Sequence, residues 1–301
     1  MKHKSAKNNM ESQSPYQRVS VVIVTHNSKK VITNCLKSIP KEVKIYLVDN
    51  ASKDSTSEGL AAQFQNLEVI NSPVNLGFGR GNNLALEKVT TKFALLLNPD
   101  TVLGDNAIEK LLIAADEYPN AAIIGPSLFY EDGRIQESYR NMPFDRESRK
   151  KSPYIIPDGD LCADCLSGAA MLLRMDVFRK IGFFDPKIFL FYEDDEICMR
   201  AKTAGYSLIL ASSARVMHLY GQSSPPSYKY TYIKNWHTIW SRLYLENKYN
   251  GKSSSFHLAF NIFMKNFLKS FFYLATGNLL KSARSSGQFM GAISFARGKV
   301  V

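Results

Sequence analysis

The run Val19-Ser20-Val21-Val22-Ile23-Val24, closed by Thr25-His26-Asn27-Ser28, decides the fold class. Five of its six residues are β-branched, which marks a strand, and the polar residues behind it mark a turn. Val31, Ile32, Cys35, Leu36 and Ile39 then recur at helical spacing. Strand, loop and helix form one unit, and the unit repeats outward from there. Ile45-Tyr46-Leu47-Val48 ends in Asp49-Asn50, a helix is expected from about Ser55 and a strand over Leu67 to Ile70, and after a helix following Gly81 comes a strand over Phe93 to Leu97. Alternating βα units imply an α/β fold with a mostly parallel sheet flanked by helices. In such sheets ligands sit beyond the carboxyl ends of the strands. Thr25 to Ser28, Asp49-Asn50 and Asn98-Pro99-Asp100 therefore share one rim.

Further on, Asp132-Gly133 marks a hairpin turn, and the polar, basic stretch from Arg140 to Asp160 reads as a mobile loop. A strand over Leu166 to Leu173, helices over Asp176 to Ile181 and Glu193 to Ala204, and a short strand over Ala214 to Met217 close the globular part. Past Ser223-Ser224-Pro225-Pro226 two aromatic helices are expected, Tyr228 to Tyr249 and Phe256 to Thr276, the second an appendage. The expected organisation is a flexible basic arm over 1–17, a catalytic domain over 18–226 and a basic helical region over 227–301.

With 301 residues, 45% of them hydrophobic, the chain can bury a full core, which excludes a small binding module. The net charge of +11 is uneven: residues 251–301 hold seven Lys or Arg and no Asp or Glu. In the second aromatic helix His257, Asn261, Lys265 and Lys269 recur every four residues, while Phe260, Phe263, Met264, Phe267 and Phe271 fall largely on another side. Two Lys near the middle of a span would each cost about 2.5–3.5 kcal/mol, so the helix is expected to lie on an anionic membrane surface, the plainer alternative being a helix packed on the globular part. No nucleic acid partner is expected. Residues 1–17 hold no apolar run of the length a secretory signal needs, so the expected location is cytoplasmic, at the inner face of the cell membrane. Cys35, Cys162, Cys165 and Cys198 are too few for a disulfide framework and read as reduced thiols.

At the rim, the Asp49 carboxylate can accept the imide N–H of a uracil or thymine ring, or it can cap the next helix. Asp100 can bind a divalent cation that bridges two phosphates, Mg²⁺ or Mn²⁺ by ligand hardness, although Asn98-Pro99-Asp100 also reads as a simple turn. Glu193-Asp194-Asp195-Glu196 places four acids at a helix start, more than capping needs, and one of them can act as a base. His218 follows the short strand and can complete a metal shell, although a lone His is commonly structural.

Taken together, the chain resembles glycosyltransferase family 2 of the GT-A fold, and within it the bacterial rhamnosyltransferase-like subgroup. The matching stretches are Val21 to Ser28, Val48-Asp49-Asn50-Ala51-Ser52, Asn75 to Asn83, Leu95-Leu96-Leu97-Asn98-Pro99-Asp100-Thr101, Gly168 to Leu172, Gly182-Phe183-Phe184-Asp185, Tyr192-Glu193-Asp194 with Cys198 and Arg200, and His218-Leu219-Tyr220-Gly221. The resemblance implies that Thr25, Asn27 and Asp49 bind the nucleoside and that Asn82 lies near the diphosphate. It further implies that Asp100 and His218 hold the metal and that Asp194 is the base. Where the wider family usually carries an acid, this sequence has Asn98; the Asn-Pro-Asp form suits the subgroup. The implied activity is inverting transfer of a sugar from a nucleotide diphosphate sugar, dTDP-rhamnose by the subgroup. A glycan or lipid-linked acceptor hydroxyl in cell-surface polysaccharide synthesis would receive it. Two rivals are a nucleotidyltransferase, against which the weakly basic Thr25-His26-Asn27-Ser28 loop argues, and a catalytically weak membrane-surface binding protein that kept the fold.

Overall fold

A computed structural model describes residues 14–141, 154–219 and 227–299. The opening run forms β1 (Val19–Thr25), buried at all seven positions. It is apolar except at Ser20 and Thr25, because both of its faces are covered. Val21 and Ile23 pack with Ile32, Cys35 and Leu36 of α1 (Ile32–Lys37). Val22 and Val24 point the other way. Next come β2 (Lys44–Asn50), the short α2 (Leu60–Gln63), β3 (Leu67–Ser72), α3 (Phe78–Leu86) and β4 (Phe93–Leu97). Ala85 and Leu86 of α3 cover Val22 and Val24. β3, β2, β1 and β4 are neighbours in that order and run parallel.

Beyond them lie β5 (Thr101–Leu103), α4 (Ala107–Glu117), β6 (Ala121–Phe129), β7 (Ile135–Gln136), β8 (Tyr139–Arg140), β9 (Leu161–Cys162), β10 (Cys165–Leu166) and β11 (Ala170–Arg174). The chain then forms α5 (Met175–Ile181), α6 (Glu193–Thr203), β12 (Ser207–His218), α7 (Tyr228–Ala275) and α8 (Leu279–Ala296). The sheet continues β4-β11-β6-β12-β5, with β7 on β6 and β9 on β12. β11 runs antiparallel to both β4 and β6, so the sheet is mixed.

Several elements differ from the sequence reading. The helix expected from about Ser55 begins at Leu60, because Ser52, Asp54 and Thr56 are taken up in bonds to the β1 loop. The helix expected after Gly81 starts at Phe78 and contains Gly81. The strand expected over Leu166 to Leu173 is broken: Cys165 and Leu166 pair with Arg140 and Tyr139 of β8, and β11 starts at Ala170. The short strand before His218 extends back to Ser207 as β12. Of the loop expected over Arg140 to Asp160, residues 142–153 lie outside the described residues. Arg140 belongs to β8, and the Tyr154 ring packs on Tyr139 at 5.0 Å. The arm over 1–13 and Ser223 to Pro226 also lie outside them.

The two aromatic helices expected are the two halves of α7, which meet at a kink at Gly251, where the backbone leaves the helical region (φ 87°). Its first half packs onto the catalytic part. Ser241 Oγ donates to Leu190 O at 3.0 Å, Tyr244 Oη and Lys248 Nζ donate to Asp185 at 2.8 Å, and Lys248 also reaches Glu196 of α6 at 2.9 Å. The unforeseen α8 packs against that half. A Cβ on Gly287 or Gly291 would stand 2.4 Å from Tyr232 O or 2.7 Å from Trp236 O, so only glycine allows the helices this close.

Candidate active site

The turn after β1 is fastened to the loop after β2. Asn27 N donates to Ser52 Oγ at 2.9 Å, Lys53 N to Asn27 Oδ1 at 2.7 Å and Ser28 N to Thr56 Oγ1 at 2.9 Å. In register, Thr25 stands beside Asp49. Thr25 Oγ1 is buried without a hydrogen-bond partner among the described residues, which is unusual for a hydroxyl in a strand. Asp49 accepts from Ser52 N at 2.9 Å and from Ser57 Oγ, so its carboxylate also shapes its own loop. Asn50, next along, binds the start of the glycine-rich segment: its Oδ1 accepts from Leu76 N at 2.8 Å and its Nδ2 donates to Gly77 O at 3.0 Å.

That segment is glycine-rich for packing. Gly77 has φ 81°, and a Cβ there would lie 2.1 Å from Phe189 O; at Gly81 it would meet Val24 Cγ1 of β1 at 2.9 Å. Asn82 is buried and donates within α3 to Phe78 O at 3.0 Å. Its neighbour Asn83, not singled out by sequence, clamps Phe184 at both backbone atoms, by 2.9 and 3.0 Å bonds.

Asn98-Pro99-Asp100 is indeed a turn, closed by Thr101 N donating to Asn98 O at 3.2 Å, and the turn is what aims Asp100. Pairing of β5 with β12 sets His218 beside Thr101, and Leu219 N donates to Asp100 O at 2.9 Å. His218 Nε2 therefore faces Asp100 Oδ1 at 3.4 Å, both side chains about nine-tenths buried. Behind the ring, His218 Nδ1–H donates to Gln136 Oε1 of β7 at 3.1 Å. That bond directs Nε2 to Asp100, as the partners behind metal-bound histidines do. Among the described residues no group of three or more His, Cys, Asp or Glu is placed to hold a metal. Asp100 and His218 thus fit a cation that takes its remaining ligands from phosphate and water, the coordination habit of Mg²⁺.

Burial sorts the four acids at the start of α6. Glu196 is fully covered and held by Arg200 at 2.9 Å and by Lys248. Arg200 also grips the Ile181, Gly182 and Phe183 carbonyls, which explains its place in the motif. Glu193 is buried with Oε2 unpartnered; burial first, and Asp194 next, push its carboxyl well above the usual range. Asp195, with 4% of its side chain exposed, is raised to about 7 by burial and by Asp194, even with Arg140 at 2.7 Å. Asp194 keeps 21% of its side chain exposed and accepts from Gly168 N at 3.2 Å and Arg140 Nη2 at 3.0 Å. Since Asn98 N donates to Ala169 O at 2.9 Å, beside Gly168, Asp194 stands on the same rim as the Asp100 turn. Arg140 had been read only as the start of a basic loop, yet it bridges Asp194 and Asp195. Burial alone would depress its guanidinium, but those two carboxylates hold it above the usual range.

The backbone leading into α6 is strained: Phe191 and Tyr192 both have φ 67°. Helix α7 braces it from behind, with the His237 ring stacked on Phe189 at 4.6 Å. Burial lowers the His237 imidazole to about 4.

This sheet, with carboxylates gathered at the carboxyl ends of its strands and a helix-start acid facing them, defines a GT-A glycosyltransferase. Residues 20–182, more than half the chain, match the profile of glycosyl transferase family 2, and the chain belongs to that family. It is a nucleotide-sugar-dependent glycosyltransferase with rhamnosyltransferases among its relatives. Over 229 residues it is 26% identical to the N-acetylglucosaminyl-diphospho-decaprenol L-rhamnosyltransferase of Mycobacterium tuberculosis, covering 66% of this chain and 75% of that one. Rhamnosyltransferase WbbL of Escherichia coli K12 is 26% identical over 222 residues, covering 66% and 83%. In fold it is similar to the mannosyltransferase PcManGT from Pyrobaculum calidifontis, solved with GDP-Man and Mn²⁺. The TM-score is 0.56 over 94% of this chain and 88% of that one, at 12% identity.

Proposed function

We propose that the protein moves rhamnose from dTDP-rhamnose, with inversion at the anomeric carbon, to a hydroxyl of a glycan or lipid-linked acceptor in cell-surface polysaccharide synthesis. The reaction takes place on the cytoplasmic side of the cell membrane. The observation that carries the reading is the rim itself, where Asp49, the Asp100–His218 pair and the partly exposed Asp194 come from separate strand ends and one helix start. Two rhamnosyltransferases among the relatives support the choice of sugar.

In this reading Thr25, Asn27 and Asp49 hold the nucleoside, and the start of α3 near Asn82 lies by the diphosphate. A divalent cation, Mg²⁺ or Mn²⁺, held by Asp100 and His218 would offset the charge that develops on the leaving diphosphate. Asp194 takes the proton of the acceptor hydroxyl, which attacks the anomeric carbon from the face opposite the leaving group. Arg140 and Gly168 N fix the orientation of the Asp194 carboxylate before the acceptor enters. Neither of the other two readings gains a supporting observation.

Proton NMR of the transfer product tests inversion: dTDP-β-rhamnose should give an α-rhamnoside, and a β product would exclude the single-displacement step. In the same assay Asp194→Asn should bind donor as the wild type does and turn over at least about 10²-fold more slowly. Unchanged turnover in that variant would move the base elsewhere in the cluster.

A further inference from the structure

Beyond Gly251, α7 pairs with α8 through a seam rich in small and polar side chains, with Ile262 buried beside Ala259 and Ala292 and with Leu258, Phe263 and Phe295 packed against them. Ser255, Ala259, Asn266 and Ser270 are buried on one side, Ser282 and Ala283 on the other, and Ser282 Oγ donates to Ser270 O at 3.1 Å. Large apolar side chains face outward instead. Phe256, Phe260, Met264, Phe267 and Phe271 are between 38% and 62% exposed. They form one surface, since the Phe267 ring lies 5.3 Å from Phe263, 5.1 Å from Phe271 and 5.6 Å from Phe289 of α8. Around the helix from this stripe Asn261, Lys265 and Lys269 are exposed. A seam rich in small residues with large aromatic side chains outside is the arrangement of helices that meet lipid rather than water. No described helix is long and apolar enough to cross a membrane.

Charge identifies the partner. Residues 251–301 carry seven Lys or Arg and no acid, so a protein surface of mixed charge is a poorer match than anionic headgroups. We propose that the aromatic flank of the α7–α8 hairpin docks on an anionic lipid bilayer, α7 lying along the headgroup boundary with Lys265 and Lys269 turned to the phosphates. This deepens the function proposed above and rests on it for its purpose, delivery of a lipid-linked acceptor. The first half of α7 is bound to the Asp185–Leu190 segment, so docking would also fix how the catalytic rim faces the membrane.

The test is sedimentation of the full chain with vesicles, alongside release of nucleoside diphosphate from nucleotide sugars by the same preparation. Phosphatidylglycerol-containing vesicles should bind at least about tenfold better than phosphatidylcholine alone, and high salt should weaken the binding. Phe260→Ser with Phe271→Ser should lower it by about tenfold or more, and Lys265→Gln with Lys269→Gln by several-fold, within the roughly 30-fold that loss of two charges allows. Diphosphate release should stay at the wild-type level in both variants. Wild-type protein that does not sediment, or an aromatic variant that sediments as well as wild type, would overturn the proposal. So would a wild-type dimer that this variant makes monomeric, which would identify the flank as an interface between two copies. Vesicle binding without diphosphate release from any nucleotide sugar would leave the docking surface standing and remove the catalytic reading instead.

Discussion

At His218 a hydrogen bond from Nδ1 to Gln136 leaves Nε2 toward Asp100, and Gln136 sits in a two-residue strand with no sequence signature. Gln136→Leu removes the acceptor while keeping similar bulk. It should weaken Mn²⁺ dependence of activity by about 10–100-fold, read as a shift in the metal concentration giving half-maximal rate. An unshifted metal titration would detach Gln136 from the metal pair. Arg140 was equally illegible, because its function comes from pairing β8 with β10, not from its neighbours in the chain. Arg140→Ala leaves Asp195 buried without its cation and should cost about 3–5 kcal/mol at alkaline pH. The sign follows from the raised Asp195: the folded state holds a proton that the unfolded state has lost between about pH 4 and 7. Its stabilising contribution is therefore fully present at low pH and falls away as pH rises through about 7. The gap in Tm between wild type and variant should be larger at pH 8.5 than at pH 5.5, with the values set only by which side of about 7 they fall on. Equal gaps would mean that Asp195 is charged throughout.

Element by element, legibility followed burial. β1, β2 and β4 could be read in place because both faces of each are covered along most of their length, which gives the apolar runs Val21 to Val24, Ile45 to Val48 and Phe93 to Leu97. α8 could not, since its inward face is Ser282, Ala283, Ser285, Gly287 and Gly291, residues that create no apolar period. The glycines of Asn75 to Asn83 were legible as a family motif but not as to cause, which is close packing of α3 on β1 and on the Phe189 backbone. Gly77→Ala would both force a left-handed alanine and press Cβ against a carbonyl. It should lower stability by several kcal/mol, more than the roughly 1 kcal/mol of a simple glycine replacement. Chemical denaturation measures this, and a loss under about 1 kcal/mol would show that the Phe189 loop yields easily. Since that loop leads into the strained Phe191-Tyr192 entry to α6, the same variant should also slow turnover.

Across the whole molecule, the first half of α7 braces the segment behind the rim and the second half forms the hairpin with α8, with the kink at Gly251 between them. The sequence order of motifs carried the family. What it could not carry was the sorting of Glu193 to Glu196 by burial, which depends on Arg140 and Lys248 arriving from distant parts of the chain as well as on Arg200 one turn along α6. The central claim is metal-assisted transfer from a nucleotide diphosphate sugar. Its most direct measurement is nucleoside diphosphate released by the purified full chain from dTDP-rhamnose, GDP-mannose and UDP-N-acetylglucosamine, with Mg²⁺ or Mn²⁺ and with chelator, beside Asp100→Ala. Release of dTDP above the other two, abolished by chelator and by Asp100→Ala, is the expected result. No diphosphate from any donor, release that persists in chelator, or formation of sugar 1-phosphate in its place would contradict the account.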